Sequence, residues 1–428
     1  MLDKINIKNV KKISFISLVY ILVIPIILNI IYLITKQKVD YSWYESIIIV
    51  GILNIILYII YFKLQNEKIS LKKHFPLIIW TIFMIWCLIS SIISNNKLDA
   101  FLGTTYLKNG YLSYIAYSGF MLAGMIINDK EILRKFCKIF AVASIILSVL
   151  SFIDPNTLFF SERMSKIDFS GIFYNSNHYG YYLIIGVVMS MILFIYEKKL
   201  LYLIGYIITL FTLIFNNTLG CYIALLGTLI LVIIYILITK KNIISTMIVT
   251  VIFIMMSFFL TKGSTNLVKQ NLNGLFKDSS QIIESIKDDS IDASKAGTNR
   301  WGLWTNTLKI IKNRPIFGYG MNNLGEGFDE VGIYPESTNP HNQIIRLMGE
   351  NGIISAILFL LFHGYLIIKL LLNYKELNSF NLVFTFIIIC FFASSLFGVA
   401  AYYTEVYYYM CLGILVNMVM SLKCKEKV

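Results

Sequence analysis

Apolar runs of about 20 residues recur along this chain, separated by short polar breaks and by one long polar excursion. Each run suffices to cross ~30 Å of hydrocarbon as a helix. About twelve are expected, with cores near 14–35, 45–62, 75–94, 111–128, 134–153, 178–196, 200–215, 218–239, 243–261, 352–372, 380–399 and 404–422. A helix satisfies its own backbone hydrogen bonds in lipid. A membrane β-barrel would show shorter alternating segments, which are absent. The pattern predicts an all-α polytopic membrane protein, a single integral membrane domain over 1–428. The one large extracytoplasmic loop, 262–351, falls between helices 9 and 10.

Composition agrees: 57% of residues are hydrophobic and 14% charged, and mean hydropathy is +0.72. An ordinary soluble protein is excluded. The net charge of +13 would suit nucleic acid, but its placement argues against that. The basic residues cluster at Lys4, Lys8, Lys11 and Lys12; Lys63, Lys68, Lys72 and Lys73; Lys130, Arg134, Lys135 and Lys138; Lys198 and Lys199; Lys240 and Lys241; and Lys423, Lys425 and Lys427. All share one side if the helices alternate from a cytoplasmic N-terminus, which is the positive-inside pattern. The expected location is the cytoplasmic membrane, multi-pass, with both termini inside. The first run follows a basic stretch but lacks a small-residue cleavage site, so it reads as a retained helix. Of six cysteines, none lies in the large loop, and neither a disulfide framework nor metal-ligand spacing is present.

Nothing suggests a repeat, a low-complexity tract or a separate soluble domain. The large loop divides in two. Residues 262–298 are polar and look exposed. Residues 300–350 are richer in aromatics, Gly and Pro. There Trp301, Trp304, Leu308 and Ile311 fall on one helical stripe, predicting an interfacial helix with its indoles at headgroup depth. Asn313-Arg314-Pro315 ends it, the glycines at 318, 320, 325 and 327 permit turns, and a short helix runs from about Asn342 to Glu350.

His341, one of four histidines, precedes that helix and has a free pKa suited to proton transfer; capping or packing of the loop is the plain alternative. His178 reads as packing at a helix start. Arg163 and Arg300 stand out because most basic residues are lysines. Both lie outside, and guanidinium groups grip phosphate oxygens in bidentate fashion. Snorkelling or a surface ion pair would explain either one singly. Arg314 and Arg346 are weaker candidates. Glu326 and Glu336 are secondary candidates among the outer carboxylates, which form no ligand cluster. Tyrosines around Glu405 fit an aromatic belt.

At these residues the chain resembles the O-antigen ligase and Wzy-type polysaccharide polymerase family. The shared pattern is Arg300, Trp304, Pro315, Gly318, Gly320, His341 and Asn342, with Gly352 at the expected spacing. Upstream, Gly171-Ile-Phe-Tyr-Asn175-Ser-Asn177 resembles a second family element, with Arg163 shortly before it. The chain departs from the pattern at Lys108 and Leu219, where arginine is usual, and at Ser355. The resemblance implies a metal-independent transferase that uses glycans on a polyprenyl-pyrophosphate carrier, with no cofactor. It adds Asn342 and Asn177 to the secondary site residues.

The residues permit that chemistry: Arg163 and Arg300 for pyrophosphate, His341 for an acceptor hydroxyl proton, and a bundle for the lipid tail. The expected partners are a lipid-linked glycan donor, a glycan or lipid-linked acceptor and membrane lipids, without nucleic acid. Polymerase is preferred over ligase because an Ile-, Lys- and Asn-rich composition suggests an AT-rich genome, and many such bacteria lack lipopolysaccharide. A flippase for lipid-linked sugars is the rival from another class; it predicts charges along a path through the bundle and internal repeats.

Overall fold

The computed structural model describes residues 6–36, 42–66, 68–103, 107–154, 169–173, 175–262, 265–288, 292–335 and 337–422. Within them the chain is almost wholly helical, apart from a two-residue antiparallel pairing of Thr261–Lys262 with Thr265–Asn266. In chain order the helices are α1 (Ile7–Thr35), α2 (Trp43–Gln65), α3 (Phe75–Ile93), α4 (Lys97–Leu102), α5 (Tyr111–Ile126), α6 (Lys130–Ile153), α7 (Ser176–Glu197) and α8 (Leu200–Asn216). They continue with α9 (Leu219–Thr239), α10 (Ile243–Phe259), α11 (Leu267–Lys287), α12 (Arg300–Ile311), α13 (Leu324–Glu330), α14 (Gln343–Leu372), α15 (Ser379–Ser395) and α16 (Tyr402–Ser421).

Every expected apolar core falls on one of these helices. Seven are long and apolar enough to cross a membrane: α1, α2, α3, α6, α7, α9 and α14. The apolar helices α5, α8, α10 and α15 are shorter. The protein is thus a multi-pass membrane protein, with fewer full-length spans among the described residues than the twelve expected.

Tyrosines and polar side chains are concentrated in the central helices. α7 is buried along nearly its whole length, and α16 is buried from Tyr402 to Val416. These two helices carry Tyr179, Tyr181, Tyr182, Tyr403, Tyr407 and Tyr409, all among the largest fully buried side chains. The outer helices expose isoleucines instead, such as Ile49 and Ile56 on α2 and Ile82 and Ile85 on α3. In lipid, apolar surface gains little by hiding, so close packing and interhelical hydrogen bonds decide what goes inside. Tyrosine supplies both: Tyr181 donates to the Ser394 carbonyl at 2.9 Å and Tyr206 to the Val249 carbonyl at 3.0 Å. Small residues bring α5 against its neighbours. A Cβ on Gly119 would lie 1.9 Å from the Gly51 carbonyl oxygen of α2, and one on Gly413 of α16 would lie 1.8 Å from that of Met121.

α14 is two helices joined at a break. Gly352 has φ 80° inside it, and a Cβ there would lie 1.8 Å from the Ile316 carbonyl oxygen. The segment 315–320 fills the break with backbone hydrogen bonds. Ile353 N–H donates to Pro315 O at 2.8 Å, Tyr319 N–H to Gly349 O at 3.1 Å and Gly320 N–H to Glu350 O at 2.7 Å. α3 clasps it from the other side. Trp86 stacks on Phe317 at 4.7 Å, Ser90 Oγ donates to the Phe317 carbonyl at 2.6 Å, and Ser94 Oγ donates to that of Tyr319 at 2.8 Å. The Pro-x-x-Gly-x-Gly element is therefore a structural wedge. Gly325 and Gly327, expected in turns, lie within α13.

Candidate active site

His341 sits between α13 and α14 with φ 51°, a left-handed backbone that a non-glycine residue adopts at a cost. Three neighbours hold it there. Its N–H donates to Asn339 Oδ1 at 2.9 Å. The preceding Pro340 carbonyl accepts from Trp304 Nε1 at 2.7 Å. Asn342 caps α14 by accepting from the N–H groups of Ile344 and Ile345 at 3.0 and 3.1 Å, and its Nδ2 donates to the Leu396 carbonyl at 3.1 Å. Asn342 thus positions the histidine and ties α14 to the end of α15.

The His341 Nδ1 atom is buried and has no hydrogen-bond partner. Burial, reinforced by the Arg300 guanidinium, pushes its pKa down to about 4. The ring is neutral at pH 7, with a ring nitrogen open to a further partner. Arg300, the first residue of α12, spends Nη1 on the Gly297 carbonyl at 3.0 Å and on Thr298 Oγ1 at 2.6 Å. Its Nε is buried without a partner. Burial also lowers the Arg300 pKa, opposed by the nearby Tyr181. An orphaned histidine nitrogen within electrostatic reach of a guanidinium that has an orphaned N–H, both atoms buried, is an arrangement that a polar ligand would complete.

α12 differs from the sequence expectation. Its buried face is Leu303, Thr307, Ile310 and Ile311, whereas Leu308 is 43% exposed. Trp304 satisfies its indole N–H on Pro340 and packs near Phe397 at 6.3 Å. The helix leans on protein through α14, and its tryptophan braces the histidine loop. The polar stretch before it contains α11, whose Phe276, Ile283 and Ile286 are exposed.

Of the other expected site residues, Arg163 and Glu336 lie outside the described residues. Glu326 accepts from Arg314 at 3.0 Å and from Asn95; Arg314 also pairs with Glu330 and covers the Tyr319 ring at 4.6 Å. That cluster fastens α13 to the α3–α4 turn and occupies Glu326. Asn177 is half-buried in the first turn of α7. Asn175 caps that helix, its Oδ1 accepting from His178 N–H at 3.0 Å. The Gly-x-Phe-x-Asn-x-Asn element therefore turns His178 inward, where its Nδ1 bonds the Tyr403 hydroxyl within electrostatic reach of His341.

Sequence reasoning underrated Arg346, which is only 3% exposed. Its Nη2 donates to Tyr114 Oη at 3.0 Å and to Gln343 Oε1 at 2.7 Å, and its Nε is a third orphan. Buried Glu350 and Glu405 act on it electrostatically, and both Arg300 and Arg346 act on Tyr181. A series of electrostatically coupled groups thus links His341 through Arg300, Tyr181 and Arg346 to Glu350 and Glu405. The available signal was the i, i+4 spacing of Arg346 and Glu350 ahead of an apolar run.

This is a multi-pass membrane protein with a partly buried histidine–arginine site formed by the loop before α14 and the first turn of α12. Residues 204–360 match a family model described as O-antigen ligase, a stretch that holds Arg300, Trp304, the 315–320 wedge, His341 and the Gly352 break. The resemblance read from the motifs is thereby shown for that stretch, and the match supports a membrane glycan-handling enzyme. No curated protein matches the chain.

Proposed function

We propose that this protein is a glycosyltransferase that moves glycan repeat units from a polyprenyl-pyrophosphate carrier to an acceptor glycan at the outer face of the cytoplasmic membrane, polymerising them. The observation that carries this reading is the pairing of His341, neutral with a free buried nitrogen, with Arg300, whose Nε is equally free. The acceptor hydroxyl oxygen attacks the anomeric carbon, and the bond from that carbon to the pyrophosphate oxygen breaks. His341 takes the hydroxyl proton. Arg300, with Arg163, carries the negative charge that develops on the departing carrier pyrophosphate, so the reading requires no metal or cofactor. The segment between α10 and α14, with its 315–320 wedge, holds the reacting groups in register.

The family description favours a second reading, ligation of a finished glycan to a lipid or protein acceptor. It uses the same bond exchange at the same site. Purified protein in detergent, given lipid-linked repeat units and no other acceptor, separates the two. A ladder of lengthening glycans with released carrier pyrophosphate supports polymerisation. Turnover only after a distinct acceptor is added supports ligation. No transfer under either condition overturns both, and a flippase would then move the lipid-linked sugar across vesicles without changing it.

A further inference from the structure

α5 links two ends of the molecule. Tyr114, in its first turn, bonds Gln343 and Arg346 of the candidate site. Just past its other end, Asn128 accepts from Lys11 Nζ at 2.7 Å, and Lys11 pairs with Asp129 at 2.8 Å. At that far end a groove of about 990 Å³ opens between the first turns of α1 and α6. Phe15, Ile16 and Ile132 form its apolar wall, and Lys8, Lys12, Lys130 and Lys135 line its polar side. Lys11 is already neutralised by Asp129, so these four lysines face one remaining lining carboxylate, Glu131.

We propose that this groove binds the phosphate headgroup of an anionic membrane phospholipid, with an acyl chain against Phe15, Ile16 and Ile132. Charge selects an anion, since each basic group near the membrane surface attracts anionic lipid independently of sequence. The wall selects a lipid over free phosphate. From Ile16, 53% exposed, it continues into Ile13, 43% exposed one turn earlier on α1, so a chain lying there passes directly into the bilayer. The site stands apart from the transfer chemistry and does not depend on it.

The test uses the full-length purified protein, stripped of lipid in detergent and titrated by native mass spectrometry. The probes are dioctanoyl-phosphatidylglycerol, dioctanoyl-phosphatidylcholine and inorganic phosphate. Phosphatidylglycerol should remain bound where the other two do not. The double variant Lys12→Gln/Lys135→Gln should weaken it about 30-fold, from ~1 kcal/mol per lysine, while Lys240→Gln/Lys241→Gln should leave it unchanged. Equal loss in both variants, or equal retention of phosphatidylcholine, would mean only diffuse surface attraction and overturn the site. Retention of inorganic phosphate as strong as that of the lipid would overturn the lipid assignment. Lysine loss near a terminus can disturb insertion, so unmodified protein is also cross-linked with a photoreactive phosphatidylglycerol. Label on peptides from the first turns of α1 or α6 supports the site, and label confined to other helices rejects it.

Discussion

His341 combines a left-handed backbone, a neutral ring and an unpartnered nitrogen, and these predict a pH profile. Free histidine protonates near 6.5, but here burial and Arg300 bring the pKa down to about 4. A depressed histidine pKa keeps the basic form present as pH falls below 6.5 and loses it only near 4. The acid limb of kcat/KM, which reports the free enzyme, should therefore lie well below 6.5. A limb at 6.5 would mean that some other group accepts the proton. His341→Ala should reduce transfer by ~10²–10⁴-fold while lipid-linked donor still binds. Glutamine at 341 keeps a hydrogen-bonding group, so substantial turnover in His341→Gln would reassign the histidine to ordering the loop. Arg300→Lys keeps the charge and loses the planar fork. It should cut turnover strongly at normal expression, and turnover close to normal would remove Arg300 from the pyrophosphate site.

The elements that position these residues make a second set of outcomes. Gly352→Ala would put a Cβ where the Ile316 carbonyl already lies, on a backbone at φ 80°. It should cost at least about 3 kcal/mol, visible as a lowered detergent melting temperature; an unchanged melting temperature would show that the 315–320 wedge adjusts freely. Trp304→Phe keeps the ring and removes the donor to Pro340, a loss of ~1 kcal/mol in stability. If the indole braces the histidine loop, activity should fall much further than that stability change implies. Much of this was legible beforehand. The Asn342 helix start, the Pro315–Gly320 motif and the end of α12 near Asn313 can be read from caps, proline and spacing. The buried face of α12 could not, because Leu308 and Leu303 are equally apolar and only the position of α14 decides between them. Glu326 likewise looked free until the fold brought Arg314 and Asn95 to it.

At the scale of the whole molecule, several of the basic clusters that sequence placed on one side meet neighbours in space among the described residues. Lys11 meets Asp129, Arg134 and Lys199 both meet Glu197, and Lys73 shares a cavity with Asn128 and Asn417. If that end is cytoplasmic, single cysteines at Ser280 and at the C-terminus, in a background lacking native cysteines, should label oppositely with an impermeant thiol reagent in intact cells. Labelling of both from the same side would reject the topology. Hydropathy located the helices but not their depth in the bundle, because α7 and α16 look like weaker spans for the same reason that they are central: their tyrosines and polar residues pair with neighbours.

That tyrosine-rich interior sets where this protein can drift. Lipid asks only that Ile49, Ile56 or Ile82 stay apolar, so exchanges among Ile, Leu, Val and Phe should be nearly silent in a saturation library. Tyr181 has no such latitude, since its hydroxyl serves the Ser394 carbonyl and its ring fills space beside Phe391. Selection on such a library would leave the greasy shell almost free to vary and hold the tyrosine-rich axis nearly fixed.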